Sequence, residues 1–345
     1  MSWIKTVLAF ALCISLVILP AMGAEVFPKT IVDSANRTVT IDEPVKTIVP
    51  IITWAYEPIL ILGLKDKVVG VTTDTITNYG NMTKGISDKS VGTYREPDYE
   101  KIIQLHPDLV IIGRNAAENA EEKLAPAGIP VVWLNFNNPA TFDKEFKILA
   151  SLTGTDEKAN SFLSWKQEKL DVITSQTTKI KTKTHVYPNW CDYPLLSASN
   201  GSGIQEEITM AGGMNIASGL AKTYPEVDAE WVVKENPEAI IVGSTGCKAT
   251  TMGYSVDNFE EAKKLIETTS NAAGLNQTKA VKNGKVFVLD GRCEEAVRGF
   301  VGVCYLAKWL YPEQFKDLDP EAIHKEYFEK WLGVPYKGIW AYPPT

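Results

Sequence analysis

One pattern of helix and strand occurs twice in the chain, and this repeat constrains the fold more than any other feature. Residues 98–112 read DYEKIIQLHPDLVII, and residues 228–242 read DAEWVVKENPEAIIV. In both segments an Asp precedes a helical stretch, a Pro ends it, and an apolar run follows that is typical of a strand buried on both faces. The repeat therefore predicts two lobes built on one plan.

Short apolar strands alternate with helices on either side of one long helical stretch. Strands are predicted at 26–32, 38–41, 45–52, 67–71, 109–112, 130–134, 185–190, 239–242 and 285–289. Helices are predicted at 56–64, 98–105, 116–127, 204–211, 229–234, 259–268 and 297–310. Residues 141–181 are helix-compatible apart from Thr153 and Gly154, and the part from 156 to 178 would span roughly 35 Å.

This order predicts an α/β fold of two doubly wound, Rossmann-like parallel-sheet lobes joined by one long α-helix, with a ligand cleft between the lobes. A chain of 345 residues suits two lobes of ordinary size. The expected boundaries are 25–140 for the N-terminal lobe, 141–182 for the inter-lobe helical segment, 183–335 for the C-terminal lobe and 336–345 for a tail.

The first 24 residues are typical of an export signal. Lys5 is the only charge before an apolar run at 6–19, and small residues follow at 20–24. An uncleaved N-terminal anchor is the alternative, because the apolar stretch is close to the length that spans a bilayer. Either reading predicts an extracytoplasmic protein. The net charge of −7 argues against nucleic acid as a partner.

Four cysteines follow the leader: Cys191, Cys247, Cys293 and Cys304. In an oxidising compartment an even number favours disulfides, and Cys247 with Cys293 is the candidate pair. Free buried thiols and a metal site are the alternatives, although no CxxC motif and no nearby His supports a metal.

Arginine is scarce, and its placement is informative. Of 35 basic residues only five are Arg, and four of these adjoin elements whose ends are expected to face the cleft. The candidate ligand contacts are Arg114, Arg292, Arg95 and Arg298. A planar guanidinium suits carboxylate, catecholate or oxyanion groups. The alternative is pairing with local acids such as Glu294 and Glu295.

Aromatic side chains cluster at the same loop ends, beside one amide. These further candidates are Trp54, Tyr56, Tyr94, Asn115, Phe136, Trp190 and Tyr193. Flat side chains next to guanidinium groups would suit a large conjugated or chelated ligand. Ordinary packing at strand ends is the alternative for any one of them.

Neither an enzyme nor a bare metal site is predicted. The chain has no Walker loop, no GxGxxG that opens a helix and no nucleophile-elbow motif, so no cofactor is expected. A two-lobed chelatase is the remote enzymatic alternative. His106, His185 and His324 are not expected to converge on one cleft, as a transition-metal site would require.

Several segments together resemble the substrate-binding proteins of iron-complex and cobalamin ABC importers. The resemblance rests on residues 30–41, 44–49, 149–159 and 280–289 and on the two repeated segments. It implies a monomeric protein that delivers a ferric chelate (siderophore-like, haem or corrinoid) to ABC permease subunits at the membrane. A protein of the same fold that binds molybdate or tungstate is the alternative. The resemblance also implies that Glu100 and Glu230 dock into the transporter, whereas simple helix capping is the other interpretation.

Overall fold

The computed structural model describes residues 26–345 except for 114–118, 192, 245–246, 248–250 and 295. Within that part of the chain, no helix is both long enough and apolar enough to cross a bilayer.

The N-terminal lobe is built on a three-stranded parallel sheet. Its elements are β1 (Lys29–Val32), β2 (Thr38–Ile41), β3 (Ile48–Pro50), α1 (Tyr56–Ile61), α2 (Thr73–Tyr79), α3 (Tyr99–Leu105), β4 (Leu109–Ile112), α4 (Ala120–Leu124) and β5 (Val131–Trp133). β1 and β2 form a separate hairpin, and the sheet has the order β3–β4–β5. Every residue of β4 is buried, as expected for a strand covered by helices on both faces.

Two helices connect the lobes. They are α5 (Pro139–Thr153) and α6 (Asp156–Thr177). Gly154 ends α5 in a left-handed conformation (φ 70°) that glycine adopts without strain. α6 has 22 residues and is therefore about 33 Å long. The Phe162 ring of α6 lies 5.5 Å from that of Phe146 on α5 and 6.5 Å from that of Phe300 in the second lobe, so this helix packs against both neighbours.

The C-terminal lobe has a larger sheet with antiparallel edges. Its elements are β6 (His185–Trp190), β7 (Tyr193–Ser197), α7 (Gly203–Met210), β8 (Met214–Asn215), α8 (Ala229–Glu235), β9 (Ala239–Gly243), α9 (Glu260–Asn271), α10 (Lys279–Lys282), β10 (Val286–Leu289), α11 (Gly299–Leu310), α12 (Pro320–Glu326), a π-helical turn (Tyr327–Leu332) and β11 (Ala341–Tyr342). The order is β11–β10–β9–β6–β7, and β8 also pairs with β6. β6, β9 and β10 are parallel, whereas β7 and β11 are antiparallel to their neighbours.

The repeated segments adopt the same local structure in both lobes. The Asp98 carboxylate caps α3 by accepting the Lys101 N–H, and the Asp228 carboxylate caps α8 by accepting the Trp231 N–H. Each helix ends at a residue in the left-handed region, followed by a Pro and a buried strand, β4 or β9. The two-lobed α/β fold is confirmed.

Two expectations about local structure were wrong, and one helix was missed. Residues 67–71 form isolated bridges with Ile48 and Ser90 instead of a strand. Helix α2 was not expected, because its Thr- and Asn-rich sequence is a poor helix former, yet the Thr72 hydroxyl caps it. Residues 336–345 are not a tail, since Tyr342 pairs with Val288 of β10 and Trp340 is only 2% exposed.

Candidate functional site

A cavity of about 620 Å³ lies between the two lobes. The N-terminal lobe contributes the residues after β3, helix α2 and the loop that holds Tyr94. The C-terminal lobe contributes the residues after β9 and β10. This position, beyond the carboxyl ends of parallel strands, is where open α/β sheets bind ligands. The lining includes Trp54, Asp74, Asn78, Tyr79, Tyr94, Ser244, Cys247, Met252, Gly253, Tyr254, Asp290 and Arg292.

Arg292 is held in place at the cavity wall by Asp290. Its Nε and Nη2 donate to the two Asp290 carboxylate oxygens at 2.8 and 3.0 Å. Burial alone would raise the pKa of Asp290, but the charge and hydrogen bonds of Arg292 hold that pKa below its ordinary value. The pair is therefore ionised. Nη1, the remaining nitrogen, donates across the cleft to the Asn78 carbonyl oxygen at 3.3 Å.

Packing fixes the same guanidinium from its other sides. Its Cζ lies 5.0 Å from the centre of the Trp340 ring. Gly253 has φ 118°, and a Cβ built there would lie 2.2 Å from Arg292 Nη2. Only glycine leaves room for the guanidinium at this point.

Aromatic side chains form much of the remaining wall. Trp54 is 37% exposed. Tyr94 donates its backbone N–H to Asp74, and its hydroxyl accepts from Arg95 Nε at 2.7 Å. Burial and the nearby Glu57 carboxylate raise the pKa of Tyr79 well above its usual range, so its hydroxyl stays protonated. The wall thus places aromatic rings around one fixed guanidinium.

Three of the predicted ligand contacts line this cavity: Trp54, Tyr94 and Arg292. Arg95 is exposed at its margin and stacks over the Tyr94 ring, with Cζ 5.3 Å from the ring centre. Arg114 and Asn115 lie outside the described residues. Ligand contact by these side chains stays a prediction.

Two aromatic candidates are wrong because their side chains are internal. Tyr56 is fully buried and donates its hydroxyl to the Met82 carbonyl oxygen at 2.8 Å. Phe136 is fully buried and packs edge-on against Phe142. Both follow strands, as the sequence suggested, but the chain turns them into the core of the N-terminal lobe.

Arg298 is also wrong as a ligand contact, since it forms a buried ion pair between the lobes. Its Nε and Nη2 donate to Glu57 of α1 at 2.9 and 2.5 Å, and the Tyr327 hydroxyl donates to the same carboxylate. Its Cζ lies 4.5 Å from the Trp340 ring centre. Burial acts to lower the pKa of Arg298, but attraction to Glu57 outweighs it and the pKa is raised. The pair therefore joins α1 to α11 in its charged form.

The predicted disulfide between Cys247 and Cys293 is wrong. Cys191 is bonded to Cys247, with Cα atoms 5.4 Å apart. These residues follow β6 and β9, which are adjacent in the sheet, and the Cys191 N–H donates to the Gly243 carbonyl oxygen at 3.1 Å. Cys293 is a buried free thiol, and burial raises its pKa well above the ordinary value. The sequence placed these cysteines after strands but could not give the order of the strands.

Trp190 and Tyr193 do not line the cavity. They lie on β6 and β7, the strands that follow β9 in the order of the same sheet. The Trp190 ring meets that of Tyr224 edge-on at 5.1 Å, and Tyr193 is 55% exposed. Tyr254, Met252 and helix α2 line the cavity but were missed by the sequence interpretation. The only signal for α2 was its cap at Thr72.

Glu100 and Glu230 occupy equivalent exposed positions in the first turns of α3 and α8. In the described part of the chain, no three His, Cys, Asp or Glu side chains come together in a group that could hold a metal ion.

Comparison with known proteins places the chain in a family. A family model described as periplasmic binding protein matches residues 51–293. The chain is 30% identical over 305 residues to YvrC of Bacillus subtilis, an uncharacterized ABC transporter substrate-binding lipoprotein, and the match covers 85% of this chain and 88% of the relative. It is 22% identical to the molybdate-binding protein MolA of Haemophilus influenzae, with 90% and 92% covered.

A solved structure agrees with this assignment at the level of the fold. The TroA-like periplasmic binding protein FepB of Veillonella parvula has a TM-score of 0.78 at 23% identity, and the match covers 92% of this chain and 100% of that chain. The family model and the relative from Bacillus subtilis together show that this chain belongs to the periplasmic binding protein family.

Proposed function

We propose that this protein captures a metal chelate (a ferric siderophore, haem or a corrinoid) in the inter-lobe cavity and delivers it to the permease of an ABC importer. The chain is the substrate-binding protein of such a transporter, and its role is binding without catalysis. The observation that carries the choice of cargo is the cavity of about 620 Å³. Pockets of 300–1,000 Å³ lined by aromatic side chains with a few fixed polar groups are typical sites for ligands of this size.

The chemistry of the wall supports the same choice. Trp54, Tyr94 and Tyr254 present aromatic groups that suit a conjugated or chelated surface. Arg292 supplies one oriented guanidinium, and its charge is balanced by Asp290. A carboxylate or catecholate at the edge of a chelate would accept a hydrogen bond from Nη1 in place of the Asn78 carbonyl oxygen.

Molybdate is the second candidate, because the relative MolA is a molybdate-binding protein. A tetrahedral oxyanion has only five non-hydrogen atoms, whereas this cavity equals about twenty water volumes of ~30 Å³ each. The guanidinium on the described wall is already balanced by Asp290, so this pair has no net positive charge with which to neutralise a dianion.

A titration with four probes tests the choice of cargo. The purified protein is titrated with haemin, cyanocobalamin, ferric enterobactin and sodium molybdate, followed by calorimetry and tryptophan fluorescence. We expect one of the first three to bind and to quench fluorescence, because Trp54 lines the cavity. Binding of molybdate alone would refute the proposal.

We also propose that Glu100 and Glu230 dock the loaded protein on the permease. Their support is that both are exposed at matched positions in the two lobes, where carboxylates can reach a partner's basic groups. Replacement of both by Ala should abolish uptake and leave cargo affinity unchanged. Glu122→Ala with Glu206→Ala is the matched control, because these exposed acids occupy the first turns of α4 and α7. Normal uptake by the first double variant would disprove the docking role.

The location, assembly state and lobe boundaries of the protein are also part of the proposal. Residues 1–24 act as an export signal or an anchor, and the protein works as a monomer on the outer side of the cytoplasmic membrane. The boundaries at 25–140 and 141–182 are retained as a proposal, and the C-terminal lobe predicted at 183–335 is extended to include β11. Expression of the chain followed by N-terminal sequencing of the exported protein tests the leader.

A further inference from the structure

Three aromatic side chains form a partly exposed surface beside the cavity, which we name the aromatic shelf: Trp190, Tyr193 and Tyr224. Tyr193 is 55% exposed, Tyr224 is 45% exposed, and Trp190 is half-buried. The rings of Trp190 and Tyr224 meet edge-on at 5.1 Å. Contiguous exposed apolar patches mark interaction or ligand-binding sites, whereas single exposed apolar side chains are ordinary.

The shelf continues the edge of the sheet that forms the cavity wall. Trp190 ends β6 and pairs in parallel with Gly243, which ends β9. Gly243 also pairs with Leu289, which ends β10. Ser244 and Asp290, the residues that follow β9 and β10, line the cavity. Neighbouring strands lie about 4.8 Å apart, so Trp190 begins one strand spacing beyond the cavity wall.

Covalent and backbone contacts hold the shelf and the cavity wall together. Cys191, directly after Trp190, is bonded to Cys247, which lines the cavity. The segment that carries Tyr224 is attached to β7 through the Ser197 N–H, which donates to the Pro225 carbonyl oxygen at 2.9 Å. Tyr193 begins β7 and pairs with Trp190 in the antiparallel ladder. The shelf is therefore held at a fixed position relative to the cavity wall.

We propose that the aromatic shelf is a second part of the cargo site, which takes a flat, largely apolar outer group of a cargo too large for the cavity alone. This inference rests on the proposed function. The cavity holds the core of the cargo, and the shelf contacts its periphery through ring faces and edges. The shelf accordingly distinguishes cargoes that share a core and differ in their outer groups.

The test compares variants of Tyr193 and Tyr224 with the native protein. Dissociation constants for haemin, cyanocobalamin and ferric enterobactin are measured by fluorescence titration. We expect Tyr193→Ser and Tyr224→Ser each to weaken the best-bound probe by about 3- to 10-fold, which is the scale of an aromatic contact. Tyr193→Phe keeps the ring and should bind within about twofold of the native protein. Val172→Ser removes an apolar side chain that is 52% exposed on α6, away from the cleft, and should change nothing.

The possible outcomes distinguish a failure of the shelf inference from a failure of the proposed function. If the native protein binds none of the three probes, the proposed cargo class fails and the shelf inference fails with it. If the native protein binds one probe and the Ser variants bind it equally well, the function stands and the shelf is not part of the site. If affinity is unchanged but the variants fail to stimulate the permease ATPase, the shelf is a permease contact and the inference is likewise overturned.

Discussion

The ion pair between Glu57 and Arg298 allows a direct test of how a buried charge pair contributes to the stability of the fold. Their side chains are only 4% and 1% exposed, and the Glu57 carboxylate accepts two hydrogen bonds from Arg298 and one from Tyr327. Arg298→Met leaves that carboxylate buried without its counterion, with tyrosine hydroxyls as its remaining side-chain partners. Removal of one partner from a buried pair costs about 3–5 kcal/mol, because the other charge stays desolvated without its counterion.

A double-mutant cycle isolates this cost. We expect Glu57→Gln and Arg298→Met each to lower the free energy of unfolding by about 3–5 kcal/mol. The variant with both changes should be within about 2 kcal/mol of the native protein, because it buries no unpaired charge. For a protein of this size, each single change corresponds to a fall of about 4–8 °C in Tm. Urea unfolding followed by tryptophan fluorescence, with calorimetry for Tm, gives both quantities.

An exposed pair provides the control. Lys263 and Glu260 lie 3.2 Å apart, with side chains 54% and 68% exposed. Lys263→Met should leave the unfolding midpoint unchanged, because water already screens this pair. The ion-pair assignment is refuted if the double change costs the sum of the two single changes at Glu57 and Arg298, since additive costs mean that the two side chains act independently.

Three further predictions concern acid, the disulfide and the Arg292 position. Burial, together with the charges of Arg298 and Arg292, holds the pKa of His324 well below its ordinary value. Below about pH 6.5 the imidazole therefore binds a proton in the unfolded state but stays neutral in the native state. Stability should therefore fall by up to about 1.4 kcal/mol per pH unit below that point, and His324→Phe should flatten this part of the curve in urea titrations. Reduction of Cys191–Cys247, which closes a loop with a sequence separation of 56, should lower unfolding free energy by about 2–4 kcal/mol, measured by urea unfolding with and without reductant. Gly253→Ala should weaken cargo binding by about tenfold or more in calorimetric titrations, because the new Cβ displaces the Arg292 guanidinium.

Each of these predictions has its own control. His324→Phe should leave stability above pH 7 nearly unchanged in slope, and an equal acid slope in both proteins would contradict the assignment. Reductant should have no effect on a Cys191→Ala and Cys247→Ala double variant. Gly85→Ala places a Cβ at a positive φ of 89° with no atom within 4 Å, so it tests the strain of a positive φ without the clash. Equal cargo affinity for Gly253→Ala and the native protein would show that Arg292 does not contact the cargo.

Much of the fold could be predicted because local chemistry agreed with tertiary packing. The repeated segments contain their own cap, stop and buried strand, and strand Leu109–Ile112 was predicted with its observed bounds. Helix α2 was missed because weak helix formers are helical here through a Thr72 cap and their position against the cleft. The candidate site was predicted in part. Trp54, Tyr94 and Arg292 line the cavity, whereas Tyr56, Phe136 and Arg298 point inward.

The sequence by itself determined two similar α/β lobes, a long helix between them and a cleft beyond their strand ends, because periodicity, caps and turn residues act over a few positions along the chain. Tertiary structure alone decided which side chains reach that cleft. Arg292 and Arg298 are six positions apart, yet Arg292 meets Asp290 at the cavity wall while Arg298 meets Glu57 inside the protein. The disulfide partner of Cys247 likewise depended on which strand is adjacent to β9. Such choices depend on residues far apart in the chain, which local patterns do not encode.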